Sequence, residues 1–383
     1  MSSKKVVMPY FLAGSAHLVV ARAVGHYIVQ KRPDWEIRYI EPSDELKDIG
    51  VRKFYRDSWT KLLKSPFLAK LVFVVGEVFY PLARVYNAYV IRRIVPKAFG
   101  FFVGYQPDAL FSTHWGCTHI FSKARKLGYD VPIFYIDTDM AAAYYLQNCG
   151  ADVYFVLSED AAYQLSKKGV PPEKIVRVNF LVRPQFMELP PKKEARKILD
   201  LDLSGDEFLI LFTAGGEGIG PVEEFVRAFL EASEESSGEK AGSARMIVVT
   251  GRNRTLYEKL RENYPAEKVV PLGYREDMHI LMAASDVVSG KCGANYTMET
   301  IVSGRPFIIT QIGAPNEKPN MEFVVKNGYG WYAPDPEKFK KILRRIFDDE
   351  SFLKNAYGKL SEVPRKNGAE EIANYIISYL EVS

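Results

Sequence analysis

Two glycine-containing loops in the C-terminal half of the chain have the composition of phosphate-binding turns. The first, TAGGEGIGP at 213–221, follows an apolar strand-like run and precedes a helix that Pro221 opens. The second, at 290–295, leads from another apolar run into a predicted helix at 295–303. Glycine lets the backbone approach a ligand closely, and the first N–H groups of a helix attract an anion. The two loops therefore predict a site for a nucleotide diphosphate.

Side chains that follow the second loop are suited to the hydroxyl groups of a sugar. Glu299 is expected about one turn inside the predicted helix, within reach of a pair of hydroxyls. Farther along, Asn316, Glu317 and Asn320 offer amide and carboxylate groups that could hold a polyol. Each of these residues could instead be an ordinary solvated or structural side chain. Together with the glycine loops, they favour a nucleotide-sugar site.

Ionisable residues in the N-terminal half stand just after predicted strands. His17 lies at the start of the first predicted helix, and His114 follows the strand DALFST. Asp137 ends the strand VPIFYID, and Asp139 follows it. Ligands of open α/β sheets bind outside the carboxyl ends of the strands, so these residues are candidates for acid–base chemistry or acceptor binding. The structural alternatives are a loop or cap role for His17 and a strand-end cap for Asp137.

Strand-like and helical segments alternate along the chain, which predicts an α/β fold with doubly wound sheets. The Ser-, Gly- and charge-rich stretch 233–244 is expected to be an exposed loop. The predicted organisation is an N-terminal Rossmann-like domain (1–184), a linker (185–205), a C-terminal nucleotide-sugar-binding Rossmann-like domain (206–365) and a C-terminal helix (366–383) that could pack back on the N-terminal domain.

Length and composition set limits on the class of protein. At 383 residues, the chain is too long for one ordinary core and fits two α/β domains. With 47% hydrophobic and 26% charged residues, it is expected to be globular and not disordered. Its three cysteines lack metal-ligand spacing and favour a reducing, cytoplasmic compartment. The first eleven residues lack the apolar core of a signal peptide and are interpreted as a first strand.

Positive charge is concentrated in one aromatic segment. The formal net charge is +4 overall, but residues 52–97 hold ten basic and two acidic residues, 10 − 2 = +8. The segment 52–104 is also rich in Phe and Tyr, and charges interrupt it too often for a spanning helix. Such helices are suited to the surface of an anionic membrane. The alternative is a set of ordinary helices with solvated basic faces, and nucleic-acid binding has little support because no recognised module is present.

Several segments of the chain resemble the glycosyltransferases that make bacterial and plastid glycolipids, the monogalactosyldiacylglycerol synthase and diacylglycerol glucosyltransferase family. This family is related to the peptidoglycan lipid glycosyltransferase and lies in glycosyltransferase family 28. The resemblance spans nearly the whole chain, through the following segments: FLAGSAH, QPDALFSTH, DTD, DVYFVLSEDAAYQLSKKGVPPEKI, TAGGEGIGP, GRNRTLYEKL, LGYREDMHILMAASDVV and KCGANYTMETIVSGRPFIIT. It implies the glycosyltransferase-B architecture, in which two Rossmann-like domains face a cleft.

The resemblance also implies an activity and roles for individual residues. It implies an inverting transfer of a hexose from a UDP-sugar to diacylglycerol or a related lipid, with no cofactor and no metal, at the cytoplasmic face of the membrane. Either Asp139 or His17 would take the proton of the acceptor hydroxyl, while Gly14, Ser15 and His114 would contact the acceptor. The implied donor-binding residues are Gly216, Gly218, Arg252, Lys291, Gly293, Ala294, Asn295, Glu299, Asn316, Glu317 and Asn320.

Departures from the family pattern keep other functions open. Lys291-Cys292-Gly293-Ala294 stands where the family usually has Lys-Pro-Gly-Gly, Pro315-Asn316-Glu317 where it has Gly-Gln-Glu, and an alanine near Ala143 where it often has a histidine. A UDP-GlcNAc 2-epimerase would share the architecture, and a homologue that binds without catalysis is a further alternative. An Asp-x-Asp such as 137–139 holds a metal in the glycosyltransferase-A fold, but no carboxylate or histidine cluster accompanies it here.

Overall fold

The computed structural model describes residues 3–12, 16–57, 80–141, 147–201 and 206–382. In these ranges the strands are β1 (Lys5–Pro9), β2 (Glu36–Ile40), β3 (Ala109–Ser112), β4 (Ile133–Ile136), β5 (Val153–Val156), β6 (Ile175–Arg177), β7 (Leu209–Thr213), β8 (Arg245–Val249), β9 (Val269–Leu272), β10 (Val287–Lys291), β11 (Phe307–Gln311) and β12 (Gly330–Tyr332).

The helices of the same ranges connect these strands. They are α1 (Ala16–Lys31), α2 (Pro42–Glu45), α3 (Ile49–Arg52), α4 (Tyr80–Arg92), α5 (Val95–Tyr105), α6 (Trp115–Arg125), α7 (Glu159–Lys167), α8 (Lys192–Leu199), α9 (Val222–Glu235), α10 (Glu239–Ser243), α11 (Arg254–Asn263), α12 (Met278–Ala284), α13 (Ala294–Val302), α14 (Lys318–Lys326), α15 (Pro336–Asp348), α16 (Glu350–Ser361) and α17 (Gly368–Val382). Short helical turns of π or 3₁₀ type occupy Lys53–Asp57, Pro172–Lys174, Pro184–Phe186 and Pro315–Glu317.

The chain divides into two compact units, each with its own sheet. Unit 1 comprises Met1–Pro184, Ala314–Pro319 and Lys366–Ser383, and unit 2 comprises Gln185–Gly313 and Asn320–Arg365. Each unit has one six-stranded sheet in which every described strand pair is parallel. This confirms the predicted α/β class with two Rossmann-like sheets.

In unit 1 the strand order is β2-β1-β3-β4-β5-β6. β3, β4 and β5 are apolar and completely buried, as expected for parallel strands that helices cover on both faces. The order reverses between β1 and β3, which are neighbours in the sheet. Ligands of such sheets bind at the carboxyl ends of the strands beside this reversal. The loops after β1 and β3 therefore mark the place for a site.

In unit 2 the strand order is β12-β11-β10-β7-β8-β9, and it reverses between β7 and β10. These two strands pair in register from Val287 with Ile210 to Gly290 with Thr213. Both glycine loops that the sequence singled out follow these two strands. The topology thus brings together at one sheet edge two loops that are about 75 residues apart in the chain.

The C-terminal helix α17 packs against α1 and belongs to unit 1. It buries Ile372, Ala373 and Ile376, and Asn367, just before it, donates to the Val182 carbonyl over 2.9 Å. The Glu371 carboxylate accepts from the Asn179 backbone N–H over 2.8 Å. The end of the chain is thereby fixed to the sheet of unit 1 by apolar burial and by hydrogen bonds to otherwise unpaired backbone groups.

The predicted exposed loop at 233–244 is wrong in one respect, because α9 runs into it and α10 occupies its second half. The backbone N–H groups of Ser237 and Gly238 both donate to Asp348 Oδ1 over 3.1 Å. A Cβ at position 238 would lie 2.0 Å from the Phe347 carbonyl oxygen. Glycine thus allows the segment to pack on α15, and this tertiary contact is not visible in the composition.

The predicted helical segment 52–104 is described in part. Its described portions are helical apart from a turn at 93–94, and residues 58–79 lie outside the described ranges. Within the described ranges, none of the helices is both long enough and apolar enough to span a bilayer.

The predicted linker 185–205 contains α8, whose buried Arg196 donates to Asp286 Oδ2 over 3.1 Å. The predicted linker therefore belongs to unit 2, which begins at Gln185.

Candidate functional site

The glycine loop after β7 folds onto the turn that follows β8. The Arg252 backbone N–H donates to the Gly216 carbonyl over 3.0 Å, and Asn253 Nδ2 donates to the Gly218 carbonyl over 2.8 Å. Gly218 has a φ of +64°, and a Cβ there would lie 2.2 Å from the Thr250 carbonyl oxygen. The loop is therefore held by backbone contacts that only glycine permits.

The Arg252 side chain stands at the surface of this loop. Its guanidinium pairs with Glu217 over 2.8 Å and lies 5.0 Å from the centre of the Tyr274 ring. Both side chains of the ion pair are more than half exposed. An exposed pair contributes only about 0.2–1 kcal/mol, so a phosphate could replace Glu217 at little cost. Arg252 is thus placed to neutralise an anion held by the loop.

The turn between β10 and α13 presents a helix start without a side-chain cap. Gly293 occupies the N-cap position in extended conformation and, as a glycine, provides no side-chain cap for α13. Ala294 and Asn295 are the first two helical residues, and Lys291 ends β10 on the same turn. The positive helix end and the lysine together suit a diphosphate. The structure therefore places five of the predicted donor residues on this turn or on α13. They are Lys291, Gly293, Ala294, Asn295 and Glu299.

Glu299 lies on α13, one turn past its start, and is 5% exposed. Asn320, at 0% exposure, donates from Nδ2 to the Cys292 carbonyl over 3.1 Å. This contact connects α14 to the β10–α13 turn, so Asn320 stabilises the turn from within the protein interior. Neither residue lies on the outer surface of unit 2.

Asn316 and Glu317 lie in the Pro315–Glu317 turn, which the structure groups with unit 1 and not with the donor loops. Asn316 Nδ2 donates to Asp139 Oδ2 over 3.1 Å, while the Asn316 Oδ1 atom is buried and accepts no hydrogen bond. Glu317 is 9% exposed. The structure therefore joins a predicted donor residue to a predicted catalytic residue, which the sequence did not indicate.

His17 stands at the start of α1, beside the carboxyl ends of β1 and β3. Its Nδ1 lies 2.6 Å from the Thr113 carbonyl oxygen. A carbonyl only accepts hydrogen bonds, so Nδ1 carries the proton and Nε2 has the lone pair. Burial lowers the pKa of His17 from 6.5 to about 4, an effect that the Thr113 carbonyl partly offsets. His17 is consequently a neutral imidazole at pH 7 whose Nε2 can accept a proton.

His114 follows β3 and caps α6. Its Nδ1 accepts from the Gly116 backbone N–H over 2.9 Å, so its proton is on Nε2. Its ring centre lies 4.9 Å from that of His17, with the two rings at 71° to each other. Burial, followed by the neighbouring charge of His17, lowers the pKa of His114 well below its ordinary value. The two histidines thus form one neutral pair.

Asp137 and Asp139 occupy the turn after β4, and their environments differ. Asp137 is 2% exposed and accepts from Gln147 Nε2 over 2.9 Å. Burial, followed by the charge of Asp139, raises the pKa of Asp137 well above its ordinary value. Asp139 is half-buried and faces Asn316. Asp137 therefore supports the turn, and Asp139 is the carboxylate better placed for a ligand.

Several predicted site features fall outside the described residues. Gly14 and Ser15, the predicted acceptor contacts before His17, are among them, as is Ala143. Within the described ranges, no group of three His, Cys, Asp or Glu side chains could hold a metal ion. Residues that sequence reasoning did not single out include Thr113, whose carbonyl orients His17, and Gly251, which packs under the glycine loop. Of these two residues, only Gly251 could have been noticed in the sequence, because it is the first residue of the GRN segment that carries part of the family resemblance.

The family model for monogalactosyldiacylglycerol (MGDG) synthase matches residues 17–178. The model for the glycosyltransferase family 28 C-terminal domain matches residues 209–374. The N-terminal part of the chain thus matches MGDG synthase, and its C-terminal part matches glycosyltransferase family 28. The first match includes His17, His114 and Asp139, and the second includes the predicted donor loops. Both matches agree with the resemblance seen in the sequence.

The relatives and the solved structures that are similar to this chain differ in how much of it they cover. The MGDG synthase of Spinacia oleracea is 29% identical over 256 residues, covering 63% of this chain and 47% of that protein. The chain thus spans about half the length of the curated relatives it matches. Two solved structures share the fold over almost the whole chain: Acinetobacter baumannii MurG (TM-score 0.65, 15% identity, 98% and 100% covered) and the UDP-GlcNAc 2-epimerase of Neisseria meningitidis (TM-score 0.62, 13% identity, 99% and 100% covered).

Replacing Gly251 by alanine is expected to weaken UDP binding by about tenfold or more, corresponding to about 1.4 kcal/mol. Gly251 has a φ of +60°, and its Cβ would lie 2.4 Å from the Gly216 carbonyl oxygen. The left-handed backbone costs alanine roughly 1 kcal/mol, and the clash is with backbone that cannot rotate away. Titration calorimetry with UDP measures the effect. Gly242→Ala, which meets nothing within 4 Å, is the matched control, and unchanged UDP affinity in Gly251→Ala would contradict the assignment of this loop.

Proposed function

We propose that this protein is an inverting glycosyltransferase that moves a hexose from a UDP-sugar to the hydroxyl of diacylglycerol or a related lipid. The observation that carries the proposal is the neutral His17, whose Nδ1 donates to the Thr113 carbonyl and whose Nε2 can accept a proton beside the sheet reversal of unit 1. The match to MGDG synthase and family 28 supplies the reaction class. The name of the Spinacia oleracea relative supplies the acceptor class.

In the proposed reaction the acceptor oxygen attacks the anomeric carbon of the hexose. The bond from this carbon to the UDP oxygen breaks as the new glycosidic bond forms, which inverts the configuration. The acceptor proton passes to His17 Nε2. A base with a pKa of about 4 suits this role if the proton moves late, when the attacking oxygen has become acidic. Asp139 would hold the acceptor hydroxyl in line.

Unit 2 would hold the donor and stabilise the departing UDP. Negative charge develops on the diphosphate as the bond breaks, and oriented backbone N–H groups stabilise such charge without reorganisation. The start of α13, the loop at Gly216 and Gly218, and the cations of Lys291 and Arg252 would do so here. In this mechanism no metal is needed for that task. Glu299 would bind the ribose hydroxyls of the donor.

The described part of the basic segment supports a membrane surface as a further partner. On α4, Val85 and Tyr89 are 67% and 69% exposed, and Arg92 follows one turn later on the same face. Asn87 and Ile91 on the opposite side are buried. An exposed face that combines apolar, aromatic and basic side chains suits an anionic bilayer. We place the enzyme peripherally at the cytoplasmic face of the membrane, where a lipid acceptor is available.

The proposed function is tested by UDP release from UDP-glucose, UDP-galactose and UDP-GlcNAc, each with and without diacylglycerol in liposomes. Lipid-dependent release with one donor, together with a labelled glycolipid, is the expected result. Release without lipid would favour an epimerase-like reaction, and no release with any donor would favour a binding protein.

Glu299→Ala is expected to raise KM for the donor. Greater activity on anionic than on zwitterionic liposomes, diminishing with salt, is expected if the membrane surface is a partner.

A further inference from the structure

We propose that His114 is a positioning residue, whose ring holds His17 in the orientation that directs Nε2 toward the acceptor hydroxyl. This inference rests on the proposed function, because it assigns a role relative to the proposed base. His114 touches His17 directly, with ring centres 4.9 Å apart. It is not needed to transfer a proton itself. Its effect is on the orientation and the hydration of His17.

His114 is itself fixed by a hydrogen bond at the start of α6. Its Nδ1 accepts from the Gly116 backbone N–H over 2.9 Å, which sets both the ring orientation and the tautomer. A Cβ at position 116 would lie 3.1 Å from that nitrogen and 2.5 Å from the Tyr55 ring. Glycine at 116 therefore permits the close approach of all three groups. The imidazole is anchored to the backbone through Nδ1, which leaves the proton on Nε2.

Aromatic rings enclose His114 on its other sides. Phe11 and Tyr55 make T-shaped contacts with ring centres at 5.1 and 5.8 Å, and Trp115 is tilted at 31° with its ring centre at 5.1 Å. Tyr55 in turn stacks on Phe11 at 4.4 Å and donates from its hydroxyl to Asn87 Oδ1. A ring packed on several faces cannot rotate without displacing its neighbours. His114 thus presents a rigid surface to His17.

The contact leaves His17 with two constraints. The Thr113 carbonyl holds Nδ1 by a hydrogen bond, and the His114 ring, at 71° to the His17 ring, limits rotation about the side-chain bonds. Removing the His114 ring would leave the first constraint and release the second. Water would then reach the face of His17 that His114 covers. Hydration favours the charged imidazolium, so the pKa of His17 should rise toward 6.5.

The ionisable groups around this pair are few in the described residues. His114 is the titratable side chain packed on His17, and His119 acts on His114 from the next turn of α6. Tyr55 packs beside His114, and burial holds its pKa well above the ordinary value, so it remains neutral. The shifts of the two histidines arise from burial, the Thr113 carbonyl and neighbouring histidines. A change in either pKa would therefore report chiefly on access of water to the pair.

The test is an NMR titration of the ring nitrogens and carbons of histidine in His114→Asn. Asparagine is among the preferred N-cap residues, so the start of α6 keeps an acceptor for Gly116 while the ring is lost. The expected result is a rise of the His17 midpoint by about one pH unit or more, with His17→Asn used to assign the signal. The matched control is His119→Asn on the same helix, whose ring packs on Trp115 at 6.1 Å and should leave the His17 midpoint unchanged.

Kinetics provide a second test, because a purely structural role of His114 would not change the pH profile of kcat/KM. In His114→Asn the acid limb of kcat/KM should shift upward with the His17 midpoint, and kcat should fall more than KM rises. An unchanged His17 midpoint would overturn the inference, as would a loss of activity confined to KM for the acceptor. If the midpoint shifts but no glycosyl transfer is found in the wild type, the proposed function fails and the positional role of His114 stands.

A measurement on the wild type covers the case in which His114→Asn does not fold. At pH 7 the ring ¹⁵N shifts should show His17 protonated at Nδ1 and His114 protonated at Nε2, as the two hydrogen bonds require. The opposite tautomer for either ring would overturn the inference without any variant.

Discussion

Replacing His17 by asparagine is expected to lower kcat by about 10²–10⁴-fold, the range that a positioned general base contributes. The asparagine amide can still donate to the Thr113 carbonyl, which in the wild type accepts from Nδ1 over 2.6 Å. The substitution therefore removes the proton acceptor while preserving the anchor. KM for the UDP-sugar should change little, because the loops assigned to the donor diphosphate and Glu299 lie in unit 2. Steady-state kinetics of glycolipid formation measure both quantities.

The pH dependence of the wild type follows from the same residue. His17 acts as a base only when neutral, and burial lowers its pKa from 6.5 to about 4. Activity governed by His17 should therefore persist well below pH 6.5 and fall as the pH drops through about 4. The kcat/KM profile reports this group in the free enzyme. His26→Asn, an exposed histidine on the same helix, is the control, and wild-type kcat in His17→Asn would exclude His17 as the base.

Asp139→Asn is expected to reduce kcat/KM by about 10–100-fold, since loss of a charge-assisted hydrogen bond costs about 1.5–3 kcal/mol. In the proposed reaction this carboxylate holds the acceptor hydroxyl. Asn316 Nδ2 donates to it over 3.1 Å, so the variant would also place two amides face to face. A single substitution therefore changes both the carboxylate and its partner contact.

Exchanging the two side chains separates these effects. Asp139→Asn combined with Asn316→Asp restores an amide–carboxylate pair across the same 3.1 Å contact but moves the charge to the other side. We expect the thermal stability of the double variant to recover while its activity stays low, because the negative charge no longer lies on the turn after β4. Asn316→Asp alone would oppose two carboxylates and should be the least stable variant at neutral pH. Recovery of full activity in the double variant would show that the pairing, and not the position of the carboxylate, is what the enzyme requires.

Much of the fold could be predicted because it depends on local pattern. Apolar runs of four or five residues alternate with helical segments, and this alternation predicts parallel sheets from either half of the chain. The glycine loops could be recognised because a strand, a turn and a helix follow one another directly. The loop at 233–244 was predicted incorrectly in part, because its α10 packs through Gly238 onto α15, a contact far away in sequence.

The sequence by itself determined the family, the α/β class and the loops that stand at strand ends, since each of these depends on residues close together in the chain. Tertiary structure alone decided how the functional side chains are paired. His17 meets the Thr113 carbonyl across 96 residues, and Asn316 meets Asp139 across 177. Tyr55 and Asn87 join across 32 residues beside the ring of His114. Strand order places His17 and Thr113 at the carboxyl edge of the unit 1 sheet. The hydrogen bond between them sets the tautomer of His17, and burial lowers its pKa, effects that depend on neighbours in space and not on residue type.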